Sequence, residues 1–399
     1  MNHIEKLLQT LAPKGVEFRK LGEVCDFQKG KSITKKAVTL GKVPVISGGR
    51  QPAYYHNEAN RSGETIAISS SGVYAGYVSY WDIPVFLADS FSVSPKQKTL
   101  MPKYLFHYLT TQQDAIHATK STGGIPHVYS KDLQNFLIPI PPLEIQQEIV
   151  KILDAFTELN TELNTELKAR KKQYEYYQNM LLDFDGIHSN HKDAKIKTYP
   201  KRLKTLLQTL APKGVEFRKL GEVCDFQKGK SITKKAVTLG KVPVISGGRQ
   251  PAYYHNEANR SGETIAISSS GVYAGYVSYW DIPVFLADSF SVSPKQKTLM
   301  PKYLFHYLTT QQDAIHATKS TGGIPHVYSK DLQNFLIPIP PLEIQQEIVK
   351  ILDQFSLLTT DLLAGIPAEI KARKKQYEYY REKLLTFKPL TPHKEVKKC

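Results

Sequence analysis

The segment Leu7–Asp154, which begins LLQTLAPKGVEFRK and ends QEIVKILD, recurs without a mismatch as Leu206–Asp353. Each copy is far longer than the roughly 20–50 residues of a solenoid repeat, and it has the size of a whole domain. Two identical domains in one chain suit a partner that presents the same feature twice. The composition and the motifs of the chain indicate what that partner is.

The composition is that of a folded, basic protein. The 399 residues suggest two or three domains, and a hydrophobic share of 41% is enough for ordinary cores. The net charge of +16 favours a polyanionic partner, with nucleic acid as the first candidate and an anionic membrane surface as the second. The N-terminal sequence MNHIEKLLQTL lacks a signal-peptide core, and no apolar run reaches about 18 residues, so we expect no membrane span.

No motif in the sequence indicates a catalytic or metal centre. Cys25 and Cys224 are one position seen twice and Cys399 stands apart, which excludes a disulfide framework and fits a reducing cytosol. The segment Gly30-Lys31-Ser32 resembles the end of a phosphate-binding P-loop, but Cys25 stands where that loop requires glycine. Hydrolase, metalloprotease and dinucleotide-binding motifs are absent from the sequence as well. We therefore predict no catalytic residue and no metal site.

The first part of each copy, about Leu11–Pro139, has the pattern of a mixed α/β domain. Short β-rich segments alternate with turn signals, and one apolar face predicts a helix over Pro102–Gln113. A Gly-rich loop is expected at Ser121–Pro126. The strands predicted in the first copy are Val43–Ser47, Thr65–Ser69, Tyr74–Tyr80, Val85–Leu87 and Phe91–Val93.

A long helix is predicted from Pro141-Pro142 to about Leu182. Proline suits a first helical turn, and neither Pro nor Gly occurs again before Leu182. About 41 residues make a rod of roughly 60 Å, and its apolar stripe needs a partner helix. The matching helix of the second copy, which starts at Pro341, is the obvious partner. The stripe consists of Ile145, Ile149, Ile152, Phe156, Leu159, Leu163 and Leu167.

The two helices differ most in the middle. TELNTELNTEL (157–167) in the first copy is replaced by the longer SLLTTDLLAGIPAEI (356–370) in the second, and both then continue with KARKKQYEYY. Gly365 and Pro367 predict a break or kink in the second helix. The basic linker Asp183–Lys204 would be almost taut between parallel helices, so we expect an antiparallel pair with one globular domain at each end.

Basic, hydroxyl-rich and aromatic loops are the candidate DNA contacts. Arg and Gln pair with guanine and adenine edges, while Lys, Ser, Thr and Tyr contact phosphates or stack on bases. The same segments are also compatible with ordinary surface loops and turns, and His127 and Tyr129 suit a structural role as well as a functional one. The first-copy candidates are Lys29, Lys31, Lys35, Lys36, Arg50, Gln51, Tyr54, Tyr55, Ser70, Ser71, Tyr74, Lys120, Ser121 and Thr122. The second-copy candidates are Lys228, Lys230, Lys234, Lys235, Arg249, Gln250, Tyr253, Tyr254, Ser269, Ser270, Tyr273, Lys319, Ser320 and Thr321.

The shared helical segment KARKKQYEYY has a charged face beside aromatic positions. It is compatible with a solvated face plus helix packing, or with a docking surface for another subunit, since Tyr and Arg are enriched at interfaces. The candidate docking residues are Arg170, Tyr174, Tyr177, Arg373, Tyr377 and Tyr380.

The chain resembles the specificity subunit of type I restriction–modification systems. The resemblance rests on LGEV (Leu21–Val24), IPIPPLEIQQEIVKILD (Ile138–Asp154) and KARKKQYEYY, each present in both copies, and on the TELN repeat. It implies an α/β (mixed α+β) fold with two target-recognition domains. It further implies that a long antiparallel two-helix coiled coil joins them with pseudo-two-fold symmetry.

The resemblance also implies a cytoplasmic, non-catalytic subunit of a bacterium or archaeon, with no membrane partner. The expected partners are double-stranded DNA, two modification subunits that methylate adenine N6, and restriction subunits. S-adenosylmethionine, ATP and Mg are expected on those partner subunits, and no cofactor is expected on this chain. The predicted domains are a recognition domain (1–140), a helix (141–185), a linker (186–205), a second recognition domain (206–339), a second helix (340–388) and a basic tail (389–399).

One departure from the family pattern is informative, because the usual two recognition domains differ and here they are identical. Identical, antiparallel readers predict a bipartite palindromic site, with the helices acting as the ruler between its halves. Two alternatives stay open from the residues alone. The chain could be a self-sufficient nucleic-acid enzyme, such as a nuclease, or a dimeric scaffold whose rod binds only protein.

Overall fold

The computed structural model describes residues 2–96, 98–121, 124–184, 199–295, 297–320, 323–360 and 365–390. The chain divides into two compact units, each with one copy of the repeat. Unit 1 comprises residues 1–164 and 369–399, and unit 2 comprises residues 165–368. Each unit thus contains one sheet-bearing domain, the start of the helix that follows it, and the end of a helix from the other copy.

The elements of the two copies correspond closely. Those of the first copy are α1 (Asn2–Leu11), β1 (Glu17–Lys20), α2 (Leu21–Val24), β2 (Cys25–Lys29), β3 (Val43–Ile46), β4 (Tyr54–His56), β5 (Thr65–Ser69), β6 (Val78–Trp81), β7 (Phe86–Leu87), β8 (Ser90–Pro95), α3 (Pro102–Thr111), α4 (Gln113–Ala118), α5 (Ser130–Leu133), β9 (Leu137–Ile140) and α6 (Leu143–Leu182). Those of the second copy are α7 (Lys201–Leu210), β10 (Phe217–Lys219), α8 (Leu220–Val223), β11 (Cys224–Lys228), β12 (Leu239–Ile245), β13 (Tyr253–His255), β14 (Thr264–Ser268), β15 (Val277–Trp280), β16 (Phe285–Leu286), β17 (Ser289–Pro294), α9 (Pro301–Thr310), α10 (Gln312–Ala317), α11 (Ser329–Leu332), β18 (Leu336–Pro338), α12 (Leu342–Thr360) and α13 (Ile366–Leu385). The mixed α/β class predicted from the sequence is confirmed.

An antiparallel sheet of order β2-β8-β5-β6 forms the centre of the first copy. Its strand β5, TIAIS, is buried along its whole length because both faces are covered. Ile66 and Ile68 belong to the core shared with α3, whereas Ala67 packs with Ile46 and Leu87 of a second sheet, β4-β3-β7. Successive strand residues face opposite sides, so a strand between two layers is apolar throughout. The second copy repeats this arrangement with β11-β17-β14-β15 and β13-β12-β16.

A buried glutamine fixes the start of α6 to its domain. The Gln146 side chain accepts a hydrogen bond from the Met101 amide at 2.9 Å and donates to the carbonyls of Thr99 at 2.8 Å and Pro141 at 2.7 Å. A fully buried amide with these partners is satisfied and restricts the helix to one orientation. Gln345 makes the equivalent bonds in the second copy.

Within each unit, the start of one long helix packs on the end of the other. In unit 1, Phe156 of α6 stacks on Tyr380 near the end of α13, with ring centres 5.5 Å apart. In unit 2, Phe355 of α12 stacks on Tyr177 near the end of α6 at 5.0 Å. These are the contacts of antiparallel neighbours. The first stripe residues, Ile145 and Ile149, were expected to face a partner helix. They pack into the domain core instead.

Three local features depart from or refine the sequence predictions. The predicted strand Tyr74–Tyr80 is reduced to β6, because turn hydrogen bonds and a φ of +85° at Gly76 occupy the preceding residues. Helix α7 begins at Lys201, within the predicted linker 186–205, and it buries Leu203 and Leu207 on one face. The predicted break in the second helix is confirmed at Gly365, which forms a bend directly before α13 starts at Ile366. Residues 185–198, 361–364 and 391–399 lie outside the described residues.

Candidate nucleic-acid interface

Three loops that are distant in sequence meet on the first copy, and we name Gly48–Gln51, Ser70–Tyr74, and Lys120–Ser121 with Gly124–Tyr129 the loop cluster. The Arg50 guanidinium lies over the Tyr74 ring at 5.0 Å and over the Tyr77 ring at 5.6 Å. The Gly72 amide donates to the Pro126 carbonyl at 3.0 Å. The exposed Arg50 side chain is thereby held on an aromatic platform, and no hydrogen bond or ion pair among the described residues occupies its planar donors.

Close backbone packing determines which residues the cluster tolerates. A side chain at Gly48 would collide with the carbonyl oxygen of Ser71, so only glycine allows these two loops to meet. The Lys120 ammonium donates to the Val73 carbonyl at 3.3 Å, and the Val128 amide donates to the Ser70 carbonyl at 2.9 Å. The loops therefore form one surface of fixed geometry.

A groove with a volume of about 440 Å³ runs beside the loop cluster. His127 and Tyr129 form one wall, with nearly parallel rings 5.9 Å apart, and the Lys131 ammonium lies 5.5 Å from the Tyr129 ring centre. The lining combines cations, hydroxyls, aromatic rings and one carboxylate, which is the mixture that contacts phosphates and base edges. Its polar and aromatic members are Lys29, Ser32, Ser70, Ser71, Asp89, Ser90, Phe91, His127, Tyr129, Ser130 and Lys131.

The second copy reproduces the same surface. Arg249 lies over the Tyr273 and Tyr276 rings at 5.1 and 5.6 Å. The matching groove has a volume of about 410 Å³. Among its lining residues are Lys228, Ser269, Ser270, Asp288, His326, Tyr328 and Lys330. Each unit therefore carries one candidate interface.

The structure brings together only part of the predicted contact set. Arg50, Ser70, Ser71, Tyr74 and Lys120 lie in the loop cluster, as do their second-copy equivalents, and Lys29 lines the groove. Gln51 and Ser121 belong to loops of the cluster, Gln51 being exposed and Ser121 accepting the His127 amide bond at 3.1 Å. Thr122 and Thr321 lie outside the described residues.

Other candidates lie elsewhere on the domain. Lys35 and Lys36 form an exposed 3-10 turn, while Tyr54 and Tyr55 belong to β4 at the edge of the smaller sheet. Among the described residues, no hydrogen bond or ring contact joins these four side chains to the loop cluster. In the second copy, Tyr253 packs partly against the cluster of Val244 and Phe285 instead of projecting freely. Lys31, Lys230, Lys234, Lys235, Gln250 and Tyr254 are exposed.

The sequence reading missed an arginine that supports the groove. Arg61 donates to the carbonyls of Gln28 at 3.1 Å and Lys29 at 2.9 Å, and to the Ser92 hydroxyl at 2.9 Å. These bonds fix the end of β2, where Lys29 begins the groove. Arg260 makes the same bonds in the second copy. An isolated Arg in a turn has no sequence signal that separates such a backbone clamp from a DNA contact.

The predicted docking tyrosines face inward. Tyr177 and Tyr380 stack on Phe355 and Phe156, and Tyr174 and Tyr377 also pack against the cores of their units, so these four rings contribute to packing while their docking role stays a prediction. The reason is the helical repeat, which turns these positions toward the neighbouring helix. Arg170 and Arg373 pair with acidic residues one turn earlier, at 3.5 Å. The exposed rings of this segment are Tyr176 and Tyr379, at 61% and 59% exposure.

A charged triad joins the domain to its long helix. Asp154 of α6 accepts from the Lys103 ammonium at 2.7 Å and lies 3.0 Å from His107 Nε2. Burial raises the pKa of Asp154, but its bonds to Lys103 and His107 outweigh burial and lower it. Burial of the His107 ring lowers its pKa against the opposing effect of Asp154. Asp353, Lys302 and His306 form the same triad in the second copy.

Acid is expected to weaken unit 1 through His107. The unfolded chain binds this proton near its ordinary pKa of about 6.5, whereas the folded ring binds it only at lower pH, so the unfolded state holds more protons in between. Stability then falls as the pH drops below about 6.5, and the Asp154 contribution is lost at still lower pH. We expect His107→Gln to flatten the curve of Tm against pH below about 6.5, the ordinary pKa of histidine. The exposed His3, changed to Gln, is the matched control, and equal slopes for His107→Gln and the wild type would contradict the assignment.

The described part of the chain offers no reactive centre. It contains no group of three His, Cys, Asp or Glu side chains placed to hold a metal ion. Burial raises the pKa of the Cys25 and Cys224 thiols to about 12, which keeps both protonated and unreactive near neutral pH. None of the helices described is long and apolar enough to span a membrane.

Comparisons with known proteins agree on one family. The family model for the type I restriction modification DNA specificity domain matches residues 13–171 and 212–372. A putative type I restriction enzyme specificity subunit of Haemophilus influenzae is 31% identical over 413 residues, covering 96% of this chain and 98% of that protein. The EcoR124I/EcoR124II specificity subunit of Escherichia coli is 29% identical over 447 residues, or 98% of each protein. The crystal structure of an S subunit from M. genitalium shares the fold, with a TM-score of 0.68, 22% identity and coverage of 93% of this chain and 96% of that one.

Proposed function

The chain belongs to the type I restriction–modification DNA specificity family, and we propose that its two loop clusters read two copies of one DNA half-site. It is a non-catalytic specificity subunit that recognises DNA within a methyltransferase and restriction complex. The alternatives of a self-sufficient enzyme and of a protein-only scaffold have no such support.

One observation carries the proposal of two equivalent readers. The stacked Arg50 platform and its groove recur around Arg249 with distances that agree within about 0.1 Å, in a chain of net charge +16. An arginine whose guanidinium is held flat on aromatic rings can donate two hydrogen bonds to the O6 and N7 atoms of guanine. Lysines beside it can pair with phosphates. Equal surfaces read equal sequences, so the proposed site has two identical half-sites on opposite strands.

The proposal includes the partners and their chemistry. Two methyltransferase subunits would use S-adenosylmethionine to methylate adenine N6, and restriction subunits would use ATP and Mg. The exposed Tyr176 and Tyr379 on the long helices support a subunit-docking role for that segment. The proposed location is the cytoplasm of a bacterium or archaeon, where the DNA is.

Methylation mapping tests the proposal directly. The chain is combined with its cognate methyltransferase subunits, incubated with genomic DNA and S-adenosylmethionine, and the methylated adenines are mapped by sequencing. We expect an interrupted palindrome, and the chain alone should methylate and cleave nothing, even with divalent metal. Asymmetric half-sites would contradict the equal readers, and activity of the chain alone would contradict the non-catalytic role.

A further inference from the structure

Asp89 supplies the carboxylate of the groove described above. It lies between β7 and β8, is exposed, and lines the same groove as Lys29 and Lys131. Its Oδ2 accepts a hydrogen bond from the Ser47 hydroxyl at 3.2 Å, and its carbonyl accepts the Ser70 amide at 2.9 Å. The loops on either side therefore hold this carboxylate in place.

The second copy holds its carboxylate through the equivalent serine and one further serine. Asp288 accepts from the Ser246 hydroxyl at 3.2 Å and from the Ser231 hydroxyl at 3.4 Å. None of the ion pairs among the described residues involves Asp89 or Asp288. Two serine hydroxyls use part of the acceptor capacity of a carboxylate, which has about four lone-pair positions, so acceptor sites stay open toward the groove.

Electrostatics restricts what an acidic group can do on a DNA-binding surface. A carboxylate that faces phosphate repels it and weakens binding to every sequence alike. A carboxylate that faces the major-groove edge of a base pair accepts a hydrogen bond from the exocyclic amino group of cytosine. The second placement yields discrimination between bases, whereas the first yields only a loss of affinity.

We infer that Asp89 and Asp288 each accept a hydrogen bond from the N4 amino group of a cytosine in the corresponding half-site. The inference rests on the proposed DNA-reading function and makes these two residues determinants of specificity. The lysines of the groove contact the flanking phosphates. The Ser47 hydroxyl orients the carboxylate without touching the base.

The duplicated chain provides an internal control for the test. Asp89→Asn changes only the first copy, so the second copy still reads its own half-site in the same molecule. In the complex with the cognate methyltransferase subunits, the amide that keeps the Ser47 bond through its oxygen presents its NH2 group, a donor, to the cytosine amino group. We therefore expect one half-site to lose its preference for cytosine at one position by about tenfold or more, since a wrong pairing in a site commonly costs that much. The other half-site keeps its preference. Asp82→Asn, which neutralises an exposed carboxylate outside the groove, should leave both half-sites unchanged.

A second variant separates base reading from loop ordering. Ser47→Ala removes the hydrogen bond to Asp89 but leaves the carboxylate, so the cytosine preference should survive. If Ser47→Ala relaxes the motif as much as Asp89→Asn does, the carboxylate acts only by ordering the loop and the inference is overturned. Circular dichroism and assembly of each variant with its partners show that it is folded.

Other outcomes overturn the inference while leaving the proposed function intact. The first is an interrupted palindrome that Asp89→Asn leaves unchanged. The second is a loss of binding that is equal for all sequences. The third is a loss of base preference at a position that was adenine in the wild-type motif. A wild-type half-site without any G·C pair overturns it however the variants behave. Failure of the proposed function looks different, because the wild-type complex would then show no bipartite motif.

Discussion

Replacing Arg50 and Arg249 together with alanine is expected to lower the affinity for the specific DNA site by at least about thirtyfold. Each arginine that pairs with a guanine contributes about 1–3 kcal/mol of discrimination, and the two lie in separate units, so their losses add. The stacking on Tyr74 and Tyr77 holds the guanidinium before DNA arrives. Titration of a labelled duplex that contains the mapped site, with the methyltransferase complex at fixed salt, measures the change.

Two further variants show whether the guanidinium reads bases. Lysine at both positions keeps the charge but loses the planar pair of donors, so it should restore non-specific binding without restoring specificity. Lys14→Ala with Lys213→Ala removes the same charge from exposed positions outside the loop cluster and should cost little. A uniform loss for specific and unrelated DNA, with a shallower salt dependence, would assign Arg50 to phosphate contact and contradict base reading.

Local sequence rules predicted the regular elements well. The helix from Leu143 to Leu182 follows from its spacing of apolar residues and from the absence of Pro and Gly, and β5 follows from the β-branched run around Ile66 and Ile68. Arg50 and Tyr74 were candidates because of their residue types. That they meet each other depends on contacts between distant loops, which no local pattern encodes. The sequence did not indicate Asp89 for the same reason, because only the folded chain places this carboxylate beside the groove.

The two identical domains also contact different helix residues, which the repeat alone does not indicate. In unit 2, Gln178 of α6 donates to the His306 carbonyl at 3.1 Å and to the Thr309 hydroxyl at 2.5 Å. The corresponding helical residue in unit 1 is Arg381, which lies over the Tyr377 ring at 5.5 Å. The helices differ in sequence, so each domain rests on a different side chain. Equal readers therefore do not imply equal stability of the two units.

Adding one TELN unit to Thr157–Leu167 is expected to lengthen the spacer of the methylated site and to abolish methylation at the original one. The segment lies in the middle of α6, and the boundary between the two units falls inside it, after Asn164. Four helical residues add about 6 Å, which is between one and two steps of about 3.4 Å along DNA. We therefore expect the same half-sites separated by one or two more base pairs, and deletion of one unit should shorten the spacer correspondingly.

The length of the helix is the variable that this experiment isolates. Four residues also rotate the following segment by about 40° beyond a full turn. The packing between paired helices has to adjust to this rotation. The altered enzyme should therefore methylate more slowly while keeping its half-sites. Glu162→Gln alters the same exposed segment without changing its length and should leave the spacer as it was. An unchanged spacer after insertion would mean that the partner subunits set the distance between the readers. Altered half-sites would mean that the helix also orients the loop clusters on the bases.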